Sequence, residues 1–446
     1  MAGNVNRRVA VIGAGYAGLA CAVELASAGT HLPIGVDVFE ASRTLGGRAR
    51  AIELDGLTVD NGAHILVGSY RETLRLMDKV GASGTTLAKV GAGGTALKRH
   101  PLHLEFPGHM KLAAPNLPAP LHLAWALLMA RGLNLAEKFA AIGFMRAQQA
   151  CNFRLSADTS AAELIAAQPE RVRRFLWEPL CLAALNTPVA IASAQVFLNV
   201  LRDSLAADRA ASDLLLPATD FSQLFPEPAA RYIEAQGGRV LRSTRITDIA
   251  KVGSGWTANE HGPYDHIVLA TAPYHLPRLL ALHPEFAALC EQLNALHWQP
   301  IATAYLAYPP AVRLPFAMAG MDVTGGGYAQ WLFDRGALCD QHGLIAAVIS
   351  GDGPYQALNH TELAAAIHAE IARIVPGLPA PLRTWVIEEK RATFACTPNL
   401  ARPPTATAFP NVWLAGDYVA GNYPATLEGA VRSGVAAARA VMAALN

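Results

Sequence analysis

Three glycines, a carboxylate and two arginines near the start of the chain have the types and spacing needed to hold a phosphate-linked nucleotide. Val9-Ala10-Val11-Ile12 reads as a short buried strand. It runs into Gly13-Ala14-Gly15-Tyr16-Ala17-Gly18, and Leu19 to Ala28 then reads as a helix ended by Gly29. Gly13 permits the tight turn, Gly15 lets backbone approach a pyrophosphate, and Gly18 allows close helix–strand packing. The phosphates would rest on free N–H groups in the first helical turn, which includes Ala17. A second strand, Gly35-Val36-Asp37-Val38-Phe39, ends in Glu40-Ala41. A carboxylate there suits a ribose hydroxyl pair and repels a 2′-phosphate.

The residues just beyond Glu40 point to a flavin dinucleotide, FAD. Arg43-Thr44-Leu45-Gly46-Gly47-Arg48 sets Arg43 and Arg48 around two glycines. Arg48 can neutralise pyrophosphate with its planar fork while Gly47 lets backbone lie against the ring side. The plainer alternative is a solvated basic turn. Asp60-Asn61-Gly62-Ala63-His64-Ile65 ends a third strand, Leu57-Thr58-Val59, beside the expected ring system. Near the other end, Asn411 to Ala415 reads as a strand closed by Gly416-Asp417, whose carboxylate could accept from a ribityl hydroxyl. Thr426-Leu427-Glu428-Gly429-Ala430 leads into a closing helix, Val435 to Leu445, whose amides can face the ring's N1–C2=O edge. Between these ends, Gly237-Gly238-Arg239-Val240 should start a strand reaching Ile246, whose backbone would bracket adenine. His266 to Pro273 should form a further strand that exits at Ala272.

A chain of 446 residues calls for two domains. The expected FAD-binding domain is discontinuous, from residues 1–80, 226–282 and 389–446. Residues 81–225 and 283–388 would make the substrate domain. The apolar share is 52%, the charged share 16% and mean hydropathy +0.23, which fits a large apolar cavity, a lipid-touching surface or an Ala/Leu-rich proteome. Net charge is +1, so bulk electrostatics give no case for nucleic acid. No apolar run is long enough to span a bilayer. Six scattered cysteines, without metal-type spacing, fit a reducing cytosol and no structural metal. Arg7-Arg8 before Val9 to Ile12 imitates an export signal, but the glycine turn accounts for that stretch better.

Taken together, GxGxxG with its terminal acid, RxxGGR, the strand ending Ala270-Thr271-Ala272-Pro273 and the Gly-Asp and Glu-Gly-Ala pair resemble the flavin amine oxidase and phytoene desaturase superfamily. Within it, Leu57 to Tyr70, Pro115 to Leu123, Trp177-Glu178-Pro179-Leu180 and Asn422 to Ala430 look like the squalene-associated FAD-dependent desaturases. Members of that family act as hydroxysqualene dehydroxylases in bacterial hopanoid biosynthesis. The resemblance implies an α/β fold, with a Rossmann-like FAD domain interleaved with an α+β substrate domain. It also implies reductive loss of an allylic hydroxyl with hydride delivered from reduced flavin. Amine oxidases place a cage tyrosine where this chain has Thr426, so an aromatic cage for an amine is not expected here.

His64 and Tyr423 are the candidate proton donors, since both adjoin flavin-proximal motifs; structural hydrogen bonding is the other reading of each. Phe144, Phe153, Trp177, Phe197, Trp298, Tyr305 and Trp331 are candidates for the wall of an isoprenoid tunnel, although core packing is the plainer reading of each. Between residues 111 and 150, Lys111, Arg131, Lys138 and Arg146 flank two apolar helices with Glu137 as the lone acid. Such a pair can lie on an anionic membrane, or be buried with snorkelling cations. The expectation is a cytoplasmic protein in peripheral contact with the inner face of the cytoplasmic membrane. Three rival readings remain: an oxidative carotenoid desaturase, an amine oxidase and a non-enzymatic prenyl-lipid binder. The sequence carries no motif that identifies the electron donor.

Overall fold

A computed structural model describes residues 7–28, 33–81, 89–90 and 94–445. The strands that position the site are β1 (Arg7–Ile12), β2 (Ile34–Phe39), β3 (Ala51–Leu54), β4 (Leu57–Asp60), β5 (Arg239–Leu241), β6 (His266–Leu269), β7 (Trp298–Ala307), β8 (Met318–Gly320), β9 (Trp331–Asp334), β10 (Leu344–Ser350), β11 (Arg383–Phe394) and β12 (Val412–Leu414). The helices that bear on it are α1 (Tyr16–Ser27), α2 (Arg71–Lys79), α3 (Leu121–Leu128), α4 (Leu135–Ala150) and α5 (Leu427–Leu445).

Five strands form one parallel sheet in the order β5-β2-β1-β6-β12. Its central strands are near-continuous apolar runs because both faces are covered: Val9, Ala10 and Val11 are fully buried, as are Ile267, Val268 and Leu269. α1 and α5 pack together on one face. Gly434 makes this possible, since a Cβ there would lie 2.1 Å from the Ala17 carbonyl oxygen. This is the Rossmann-like α/β arrangement, assembled from distant parts of the chain.

A second, antiparallel sheet runs β8-β9-β10-β7-β11. The period of two along β7 sorts its side chains cleanly. Ala302, Ala304 and Leu306 pack with Leu363, Ile367 and Ile371 of the helix His360–Ala372. Ile301 and Tyr305 pack on the opposite side with Val59 of the β3–β4 hairpin. Tyr305 Oη donates to the Asp60 carbonyl at 2.9 Å, joining the two sheets' territories beside the Gly62 turn.

Several boundaries differ from the sequence reading. The closing helix begins at Leu427, eight residues before Val435, because Thr426 caps it. The strand from Gly237 ends at Leu241, and Ser243 turns the chain at φ +53, so Ile246 lies in an irregular segment against the core. α1 ends at Ser27; Gly29 lies outside the described residues.

Candidate cofactor and active site

The turn between β1 and α1 is closed to side chains at two of its three glycines. Gly13 has φ +110, and a Cβ on it would meet the Ala270 carbonyl oxygen at 2.7 Å. A Cβ on Gly18 would lie 1.9 Å from the Gly13 carbonyl oxygen. Gly15 differs, because an added Cβ would meet only Gly47 Cα, at 3.9 Å. It caps α1 without a side-chain hydrogen bond, leaving first-turn amides for an anion. Gly47, at φ +64, faces it across a narrow groove that any side chain would fill. Gly46 N donates to the Ala14 carbonyl at 2.9 Å, which seats the arginine-bearing loop on the turn.

Glu40 stands just past β2. Its carboxylate accepts from Ala14 N at 2.9 Å and Ser42 N at 2.8 Å, so it is oriented at the mouth of the glycine turn. Ala41 and Arg43 are exposed on the adjoining loop, and Arg43 makes no ion pair among the described residues. Ala17 is buried against α5. Ala272 leaves β6, and beside it Thr271 Oγ1 is buried with no hydrogen-bond partner among the described residues. The open groove, the uncapped helix end, the fixed carboxylate and this orphaned hydroxyl suit a pyrophosphate-linked dinucleotide.

Arg48 is held by two contacts within the protein. Its Nη2 donates to Asp417 Oδ1 at 2.6 Å and its Nη1 to the Ala392 carbonyl of β11 at 2.5 Å. Burial opposes the charge on Arg48, but the Asp417 carboxylate outweighs it and raises the guanidinium pKa. The expected pyrophosphate arginine and ribityl acceptor therefore pair with each other and tie both sheets together. Gly416 is required beneath Tyr418, whose ring would lie 2.2 Å from an added Cβ. Thr426 Oγ1 accepts from Gly429 N at 3.1 Å, so it is a helix cap, followed by Leu427 at the helix start.

His64 sits on the loop after β4, its ring edge-on to Phe221 at 5.2 Å. Burial and then the nearby Arg48 charge lower its pKa from 6.5 to about 4, so the ring is neutral at physiological pH. Ala63 and Ile65 pack into the apolar cluster around Tyr305. Tyr423 donates its hydroxyl to Asp203 Oδ2 at 2.5 Å, and Arg432 lies over its ring at 4.5 Å. Burial and the Asp203 carboxylate raise the Tyr423 pKa, so the proton stays on this tyrosine.

Two roles escaped the sequence reading. Glu428, fully buried, accepts from Glu72 N, Thr73 N and Thr73 Oγ1, capping α2, and from Arg432 Nε at 2.7 Å. Arg402 donates to the carbonyls of Asp417 and Tyr423, bridging two site loops. Glu428 could have been flagged as a lone acid in an apolar stretch. Arg402 has no local signal.

Of the aromatic candidates, Phe144, Phe153, Trp177 and Phe197 belong to the main core. Trp298 meets Tyr274 edge-on at 5.3 Å. Trp331 lines a cavity of about 280 Å³ with Phe106, Leu182, Val189, Glu178 and Asp352. Among the described residues no cluster of three potential ligands could hold a metal.

The helix pair of residues 111–150 presents Leu121, Trp125, Met129, Leu135 and Phe139 outward, each 49% to 65% exposed. Of the four cations read as flanking the pair, Lys111 instead lies on the strand Met110–Ala113 and pairs with Glu105 at 2.8 Å, and Lys138 donates to the Leu128 carbonyl. Arg131 and Arg146 are exposed. No described helix is long and apolar enough to cross a membrane.

Residues 16–442 match the family model for flavin containing amine oxidoreductases. A hydroxysqualene dehydroxylase of Rhodopseudomonas palustris is 31% identical over 99% of both chains. Another, from Zymomonas mobilis, is 27% identical over 96% of this chain and 97% of its own. A 15-cis-phytoene desaturase of Synechococcus elongatus is 26% identical over 98% and 96%. An oxidoreductase from Methanosarcina mazei superposes with a TM-score of 0.70 at 15% identity, covering 96% of this chain and 99% of that one. A cyclohexylamine oxidase from Brevibacterium oxydans superposes at 0.65 and 17%, covering 99% of each. The chain belongs to the flavin-containing amine oxidoreductase family, and it is an FAD-dependent oxidoreductase.

Proposed function

We propose that the protein reductively removes the hydroxyl of hydroxysqualene to give squalene. The observation that carries this reading is the near-full-length similarity to relatives of that name. The site supports it, because Thr426 is a helix cap where an amine cage would need an aromatic wall.

When bound and reduced, FAD supplies the hydride. The C–O bond of the allylic alcohol breaks, the oxygen leaves as water after gaining one proton, and the hydride replaces it on carbon. Of the two candidate donors, Tyr423 keeps its proton and donates it in a hydrogen bond to Asp203, whereas His64 makes no hydrogen bond to a described residue. A proton taken up by His64 from solvent before the site closes can pass from the imidazolium to the departing oxygen, and the ring returns to the neutral form that burial favours. Ile65, Ile301 and Ile387 give the allylic cation a wall without nucleophiles, and excluding water protects it.

Substrate this apolar must be collected from lipid. The outward face of α3 and α4, rimmed by Arg131 and Arg146, fits an anionic membrane surface and supports a peripheral position at the inner face of the cytoplasmic membrane.

The decisive experiment is a single anaerobic turnover. Dithionite-reduced holoenzyme mixed with hydroxysqualene should regain oxidised-flavin absorbance as squalene forms. Indifference of the reduced enzyme to hydroxysqualene, together with dehydrogenation of phytoene by the oxidised enzyme, would replace this reading with a desaturase, the activity named in the Synechococcus relative.

A further inference from the structure

Thr303 occupies the middle of β7 and is 1% exposed. Its cross-strand neighbours are Val348 on β10 and Ile387 on β11, so its surroundings within the sheet are apolar. Its Oγ1 is buried and has no hydrogen-bond partner among the described residues. A valine of the same shape would avoid that cost, so a hydroxyl here needs a partner brought from outside.

The direction in which it points is fixed by Gly62. A Cβ built on Gly62 would lie 3.8 Å from Thr303 Oγ1, 3.9 Å from His64 Nε2 and 3.5 Å from His64 Cε1. A side chain on residue 62 would touch both polar groups, so its absence leaves Thr303 Oγ1 and His64 Nε2 turned toward one common point. Gly62 has φ +111, so the backbone there also favours glycine.

We infer that Thr303 Oγ1 and His64 Nε2 form a hydrogen-bonding pair that grips the hydroxyl of an allylic alcohol and sets its C–O bond in place. The inference rests on the proposed dehydroxylation and adds the residue that separates alcohol from hydrocarbon. An apolar tunnel binds squalene and hydroxysqualene almost alike; only a hydroxyl-specific contact distinguishes them. Thr303 can donate and accept at once, as can the neutral ring of His64, so one alcohol oxygen with one proton can satisfy both.

The test uses oxidised holoenzyme, in which hydroxysqualene binds without turnover and is read by flavin difference spectroscopy. Wild type should bind hydroxysqualene more tightly than squalene. Thr303→Val should weaken hydroxysqualene binding about tenfold, the worth of one hydrogen bond, and leave squalene binding unchanged. Thr303→Ser should restore the preference, with FAD content equal in all three proteins. Unchanged hydroxysqualene affinity in Thr303→Val overturns the inference. So does a shifted flavin spectrum or lost FAD in that variant, which would assign Thr303 to the cofactor. Single-turnover formation of squalene by wild type reports on the underlying function separately: product with an indifferent Thr303→Val refutes only the pair, and absence of product refutes both.

Discussion

Two pairs of Ala- and Leu-rich helices meet opposite fates in this molecule. α1 and α5 are locked against each other, with Gly434 seated on the Ala17 carbonyl and Val431, Val435, Ala437 and Ala438 buried. α3 and α4 also touch, yet they leave five large apolar side chains in the open. Packing that close demands small residues at the crossing, and once it is achieved no apolar surface remains for another partner. Exposure on the second pair keeps a face for one. Burial of apolar area stabilises the first pair, while the same kind of area on the second is available for binding.

The first pair breaks most severely. Gly434→Val should force α5 off α1 and destabilise the fold by about 3 kcal/mol or more, as overpacking against backbone does; thermal unfolding reads it, and an unchanged Tm would mean that the helices slide apart freely. Gly15→Val sharpens the contrast within the cradle. Its Cβ has room, so the variant should fold, but the side chain fills the groove and the purified protein should be colourless. Retention of stoichiometric FAD would refute the groove as the pyrophosphate seat.

The second pair should behave in reverse. Replacing Leu121, Trp125 and Phe139 together by serine should leave stability within about 0.5 kcal/mol per site while sedimentation with anionic vesicles falls at least tenfold. Wild-type binding should weaken from 0.1 to 1 M salt, as the screening length drops from about 10 to about 3 Å. Equal binding of wild type and variant would assign the face to another role.

A pH-dependent effect separates His64 from its surroundings. Its pKa of about 4 in the fold lies below the 6.5 of an unstructured histidine. The unfolded chain thus binds the extra proton first, and stability is lost as pH falls from 6.5 toward 4. Wild type should therefore lose about 1 kcal/mol per pH unit relative to His64→Gln in that window. Parallel acid profiles for the two proteins would mean that the ring is not held neutral. The comparison needs the variant, because Asp60, raised to about 6 chiefly by burial, contributes with the opposite sign as its own proton is taken up.

Where function depends on neighbours in sequence, the residues announce it. Gly13, Gly18 and Glu40 act within one strand–turn–helix unit, and their spacing alone describes the turn. Arg48 was legible as a site residue but not as the partner of Asp417, 369 positions away. Thr303 reads as an ordinary strand residue, because the Gly62 turn that gives it meaning belongs to a different sheet. The strand before Ile246 stops short for a local reason: Ser243 adopts a positive φ that its residue type does not advertise. For α3 and α4, composition allowed both a buried and a lipid-facing pair, since exposure depends on what the remainder of the fold covers.

The order of strands in the parallel sheet bears on how the enzyme is made. β1 and β2 are made long before β12 at Val412–Leu414, Asp417 and α5. A nascent chain carries the glycine turn for most of its synthesis without the edge strand, the Arg48 counter-ion or the helix that packs on α1. The sheet therefore closes through a contact made late in the chain, and a fragment that lacks Val412 onward would leave β6 as an unpaired edge.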